Sequence, residues 1–204
     1  MKPEIYPVPC ILKPTSRGMQ QVSIDDAMFA RRELQLVGEV NETSALLICQ
    51  QIRQLEVMDP EAAITLYISS PGGSVTMGMA IYDTMQTSPC RIRTICVGQA
   101  ASMGAVLFVA GDERLMYPHS ELMIHDPLIS SGASGSALAV RDQSSRLMKL
   151  RKMICSVLAS HSGRTLKDIY RRTAKDTYIS AEEAVKLGFA DTIIGNDSAR
   201  ELSQ

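Results

Sequence analysis

The chain has no tryptophan, three phenylalanines and six tyrosines, so aromatics make up only 4% of its 204 residues. Aliphatic and thioether groups must fill its core, and twelve methionines are present to help. Charge of one sign is missing as well: 21 Lys and Arg against 22 Asp and Glu leave a formal net charge of −1. That excludes the basic surface of a nucleic-acid binder and the composition of an acidic disordered tail. No apolar run reaches the ~18 residues a membrane span needs. The longest, Ala100 to Gly111, is short and rich in small residues. The opening MKPEIYPVPC carries charge and proline where a secretory signal would carry an apolar stretch. Cysteine pairing is also absent. Cys10, Cys49, Cys90, Cys96 and Cys155 are odd in number and form no CxxC, so no disulfide framework or zinc spacing is visible. They read as small buried hydrophobes in a reducing compartment. The three histidines make no HxH or HExxH pattern, which argues against a protein-bound metal.

What is present is the composition of one globular domain, with 45% apolar and 21% charged residues and a mean hydropathy of +0.01. Few aromatics and near-zero net charge defend such a surface poorly against self-association. Residues 1–18 hold four of the nine prolines and read as an extended or processed N-terminal arm, leaving 19–204 as the domain.

Glu33 to Val37 alternates like a strand closed by Gly38, and Asn41 is placed to cap a helix bearing Leu47, Ile48, Ile52 and Leu55. Ile64 to Ile68 is a β-branched run ending in a Ser-Ser-Pro-Gly-Gly turn. A helix follows with Met77, Ile81 and Met85 on one face. Ile92 to Val97 then leads through Gly98 into a small-residue helix starting near Ser102. Strand, tight turn and helix, twice over, is the signature of a parallel α/β sheet, whose chemistry gathers beyond the carboxyl ends of the strands. Leu115–Tyr117 and Glu121–His125 are two further strands, and Ser130 to Ser136 a flexible loop. A long helix runs from Leu138 to about His161, Thr165 caps a short one, and Ser180-Ala-Glu-Glu is a capping box for a last helix ended by Gly188.

Ser102 follows a strand through small residues and opens an apolar helix, where unpaired N–H groups and the positive dipole end gather. A nucleophile would suit that place; so would an ordinary helix N-cap. His125 ends a strand and could take the serine's proton, or could be a strand-end histidine with a satisfied ring. His119 and His161 have polar sequence neighbours and read as surface residues. Asp126, Asp142, Asp168, Asp176 and Asp191 are all available as an orienting acid, and spacing does not choose among them. The Gly72-Gly73 turn offers N–H donors for an oxyanion, or is simply a turn.

Five segments together resemble the ClpP family, the caseinolytic serine peptidases of ATP-dependent Clp proteases. They are Tyr67-Ile-Ser-Ser-Pro-Gly-Gly-Ser74, Ile81-Tyr-Asp-Thr-Met-Gln86, Gly98-Gln-Ala-Ala-Ser-Met-Gly-Ala105, Met123-Ile-His-Asp-Pro-Leu128 and Ser180-Ala-Glu-Glu-Ala184. The similarity runs in order from about Thr15 to Ile194. It implies the crotonase-like α/β spiral of ββα units with a handle region, in heptameric rings stacked as a tetradecamer. It further implies hydrolysis of unfolded polypeptides delivered by an AAA+ unfoldase, in the bacterial cytoplasm, with no cofactor in this chain and no nucleic-acid or membrane partner. By motif, Ser102 would be the nucleophile, His125 the general base and Asp176 the orienting acid. The backbone N–H groups of Gly73 and Met103 would form the oxyanion hole.

The chain departs from the family pattern where partners meet. Ala174 and Lys175 stand where an acid and an arginine usually precede the catalytic aspartate, and Lys lacks the arginine fork. Asp126 stands where Gln usually follows the histidine, and a negative charge there is expected to raise the imidazole pKa. Tyr67 keeps one aromatic of the unfoldase-docking pocket, while Thr65 and Thr87 replace others. The expectations are weak docking, or docking supplied by a second paralogue in a mixed assembly. The apolar excess is expected to face other subunits, carried by the long helix from Leu138 and the helix after Gly73.

Overall fold

The computed structural model describes residues 9–16, 18–128 and 135–195. Half of the expected arm, residues 1–8 and 17, and residues 130–134 of the expected loop lie outside them. The described part of the arm, β1 (Cys10–Thr15), pairs antiparallel with β2 (Gly18–Ser23) in an exposed hairpin. Ser23 caps a short helix, α1 (Ile24–Ala30), by accepting from the Asp26 N–H.

The body is a mixed α/β structure on a mostly parallel sheet. β3 (Glu33–Val40), β4 (Ile64–Gly73), β5 (Ile92–Ala101), β6 (Glu113–Met116) and β9 (Thr192–Ile193) lie side by side in that order, all parallel. Helices α2 (Glu42–Met58), α3 (Val75–Thr87) and α4 (Met103–Val109) connect them. Asn41 and Ser44 form a capping box on α2, and Ile48, Ile52 and Leu55 bury one face of it. Leu47 is exposed instead. All seven residues of α4 are buried, so α4 is the centre of the core.

Two expected strand ends move. Gly38 does not close β3: at φ +82 it hosts a register shift between Val37 and Glu39, and the strand continues. The Ser-Ser-Pro-Gly-Gly segment is no tight turn but the extended end of β4. Ser70 holds that end, donating from Oγ to the Gly38 carbonyl (2.6 Å) and accepting from the Gly72 N–H (3.1 Å).

β5 forks. Arg93 to Cys96 pair with β6, whereas Gln99 to Ala101 pair with β7 (Glu121–Ile124). β8 (Thr177–Ser180), which the sequence reading did not anticipate, runs antiparallel to β7. Between them come α5 (Ala137–Ser162) and α6 (Leu166–Thr173), capped by Ser136 and Thr165. The capping box at Ser180 starts α7 (Ala181–Leu187), which ends at Gly188.

The apolar excess divides unevenly. Leu138, Val140 and Met148 are exposed on α5, as expected, but α3 exposes no large hydrophobe. The exposed hydrophobes lie on α2 instead, at Leu46, Leu47, Val57 and Met58, while α3 packs against α2 and α4. Cys90, Cys96 and Cys155 are buried, Cys49 is partly buried, and Cys10 is exposed, correcting its expected burial.

Candidate active site

Ser102 stands between β5 and α4 with φ +53 and ψ −119, in a region that costs a non-glycine residue about 1–3 kcal/mol. Three contacts impose it. The Ser102 N–H donates to the Met123 carbonyl of β7 (2.8 Å), and its carbonyl accepts from Val106 (3.2 Å). Gly72 presses on it from β4: a Cβ there would lie 2.6 Å from Ser102 Cβ and 2.7 Å from the Ala101 carbonyl oxygen. Gly72, not singled out as a contact by sequence, is thus what allows the strand end to reach the turn. Ser102 Oγ does not cap α4, which removes the bland reading of that serine. It lies 2.9 Å from His125 Nε2.

Sheet register explains the meeting. Ala101 is paired with Met123, so one step on from Ala101 and two from Met123 the chains present Ser102 and His125 side by side. The antiparallel pairing of Ile124 with Thr177 then sets Asp176 across from His125, one position further along. Of the five acids that sequence left open, Asp176 is the one that the register sets against the imidazole. The contact is loose: His125 Nδ1 is 3.8 Å from Asp176 Oδ1, too long for a hydrogen bond. The histidine side chain is 14% exposed and the aspartate 63%.

Gly73 ends β4 opposite Val40 at φ +145, where a side chain would overlap the Val40 backbone. Met103 is the first residue of α4, so its N–H has no carbonyl one turn back within the helix. Val75, Met103, Val106, Pro127, Ile154 and Leu158 line an apolar pocket beside Ser102 and His125.

Asp126, the acid next to the imidazole, has partners of its own. Its carboxylate accepts from Arg151 Nε (2.6 Å) and from the Thr173 hydroxyl (2.6 Å), so a guanidinium compensates it. Ala174 and Lys175 are exposed. His119 is exposed, but His161 is no surface residue: it is half-buried and its Nε2 lies 3.1 Å from the Tyr82 hydroxyl. Burial, then the Arg114 charge, hold its pKa below the ordinary 6.5. Among the described residues no three His, Cys, Asp or Glu side chains are placed to share a metal ion.

Tyr67 lies on the other face of the sheet. It shares a shallow pocket with Met28, Val37, Val97 and Tyr117, and burial followed by the charge of Glu33 raises its phenol pKa. Thr65 is partly buried and Thr87 exposed.

The serine on its strained turn, the histidine register and the aspartate facing it all fall inside a stretch, residues 16–197, matched by the family model for Clp protease. With that match spanning most of its length and the expected α/β architecture beneath it, the chain belongs to the Clp protease family of peptidases.

Proposed function

We propose that this chain is the proteolytic subunit of an ATP-dependent Clp protease, a serine endopeptidase that hydrolyses unfolded polypeptides. The observation that carries the reading is the 2.9 Å contact between Ser102 Oγ and His125 Nε2 on a strained strand-to-helix turn. In this reading Ser102 Oγ attacks the peptide carbonyl carbon while Nε2 takes its proton. The oxyanion forms against the N–H groups of Gly73 and Met103. The intermediate collapses to a Ser102 ester, and the leaving amine takes the proton back from Nε2. A water, deprotonated by the same nitrogen, then hydrolyses the ester and frees Ser102. Asp176 orients Nδ1–H, for which its carboxylate must close the 3.8 Å gap. These steps call on no metal or organic cofactor.

The same reading places the subunit in heptameric rings stacked as a tetradecamer in the bacterial cytoplasm. The exposed apolar residues of α2 and α5 support subunit contacts, and the Tyr67 pocket supports AAA+ unfoldase docking. A second reading, a weakly active ring subunit working beside a second ClpP paralogue, draws support from the open His125–Asp176 contact and from Thr65 and Thr87, which stand where the family resemblance expects docking aromatics. The deciding experiment treats the protein with a fluorophosphonate and locates the adduct by mass spectrometry. Labelling of Ser102 that vanishes in Ser102→Ala supports the peptidase. An intact ring that stays unlabelled overturns it in favour of the second reading.

A further inference from the structure

Next to His125 lies a set of side chains with no part in the peptide chemistry above. The Asp126 N–H donates to the Thr173 carbonyl (2.8 Å), its Oδ1 accepts from the Thr173 hydroxyl and its Oδ2 from Arg151 Nε. Arg151, from the middle of α5, is itself held. It donates to the Tyr170 carbonyl (3.3 Å), and its guanidinium sits 4.3 Å over the Tyr170 ring. Thr173 is buried at the end of α6, its Oγ1 lying 3.6 Å from Cys155 Sγ. Because the hydroxyl proton goes to the carboxylate, the thiol is the donor in that contact.

The set sits between the two residues whose contact is open. Asp126 follows His125 directly, and Thr173 precedes Asp176 by three positions. On the far side, the Thr177 hydroxyl donates to the Arg172 carbonyl (2.7 Å) while Thr177 pairs with Ile124. The main chain from Thr173 to Thr177 is thus pinned at both ends, at one of them by Asp126. What is left without such a tie is the exposed Asp176 carboxylate. Short charge-assisted bonds are directional, and groups that must meet at hydrogen-bond distance tolerate little drift of the chains that carry them.

We propose that Asp126 is a positioning residue for the His125–Asp176 pair: by holding Thr173 and Arg151 it sets the spacing of the two main chains, so that rotation of the Asp176 side chain alone closes the contact. Asp126, Arg151 and Thr173 touch none of the reacting atoms. The proposal rests on the reading of Ser102, His125 and Asp176 given above.

The test measures labelling of Ser102 in the full chain by a small alkyl fluorophosphonate, resolved into kinact and KI. Melting temperature and assembly are followed alongside. Asp126→Asn keeps the shape but removes the charge facing Arg151, and kinact is expected to fall roughly 10- to 100-fold while KI holds within about twofold. Thr173→Val is expected to do the same and Thr173→Ser to label at close to the wild-type rate. The double variant Asp126→Asn/Thr173→Val should be no slower than the slower single one, since both cut the same link. A wild-type protein that is not labelled, or a Ser102→Ala protein that still is, overturns the triad reading and this proposal with it. If Ser102→Ala is inert but Asp126→Asn labels at the wild-type rate, the positioning role alone is overturned. Equal slowing by Thr173→Ser and Thr173→Val has the same consequence. Should Asp126→Asn lose its assembly, the Thr173 pair decides.

Discussion

The two nitrogens of the His125 ring face different kinds of structure. Nε2 meets Ser102 at 2.9 Å, and both residues sit at the ends of strands paired in the middle of the sheet, beside the fully buried α4. Nδ1 faces Asp176 at 3.8 Å, just before β8, a strand that among the described residues pairs with β7 alone, and Lys175 and Tyr178 nearby are exposed. One contact is imposed by the core; the other is left to a side chain standing largely in solvent. Closing a loose contact draws on ordering entropy at the moment of use, so in the proposed mechanism the Asp176 side is the one more easily perturbed.

That contrast orders the expected effects of substitution. Ser102→Ala should cost on the order of a million-fold in kcat for a fluorogenic peptide while leaving the melting temperature near wild type. Gly72→Ala attacks the same half through the backbone, at φ +93 and against Ser102 itself. About 1–3 kcal/mol of strain corresponds to a drop of roughly 2–12 °C in melting temperature for a chain of this size. Displacement of the serine should slow labelling on the order of 100-fold. Asp176→Asn tests the other half. A roughly 10- to 100-fold loss of kcat is expected, well short of the ~10⁴ seen where the acid already holds the imidazole. A loss near that larger figure would mean that the contact is already closed before substrate arrives.

The smallest effect separates the site from its scaffold. His161, half-buried and near Arg114, has its folded pKa held below 6.5, so its neutral form is the one the fold favours. The unfolded chain binds the extra proton as pH falls below 6.5, so this contribution to stability is complete above that pH and is lost on acidification. Thermal melts from pH 7 to pH 5 should show a shallower fall for His161→Gln than for wild type. Any change in Ser102 labelling over that range that persists in His161→Gln then belongs to the site.

Much of this architecture is legible in local sequence. Asn41, Thr165 and Ser180 mark helix starts because capping is decided within four residues, and Ile48, Ile52 and Leu55 show their face by spacing alone. Gly38 and the Pro-Gly-Gly run mislead because a glycine with positive φ serves a bulge or a strand end as readily as a turn. β8 escaped because four residues are too few for a period to emerge, although Thr177-Tyr178-Ile179 carries the β-branched and aromatic content of a strand. His161 reads as a surface residue until α3 brings Tyr82 against it, 79 positions away.

The sequence by itself determined the α/β class, the helix caps, the aromatic-poor core and the motifs that carry the family resemblance, because each is written in neighbouring residues. Only the tertiary structure decided that Ser102 turns away from its helix toward His125, that Asp176 among five acids faces the imidazole, and that Asp126 spends its charge on Arg151. Those choices rest on strand register and on contacts 23 to 51 positions apart along the chain, and such distances are closed by packing, not by local propensity.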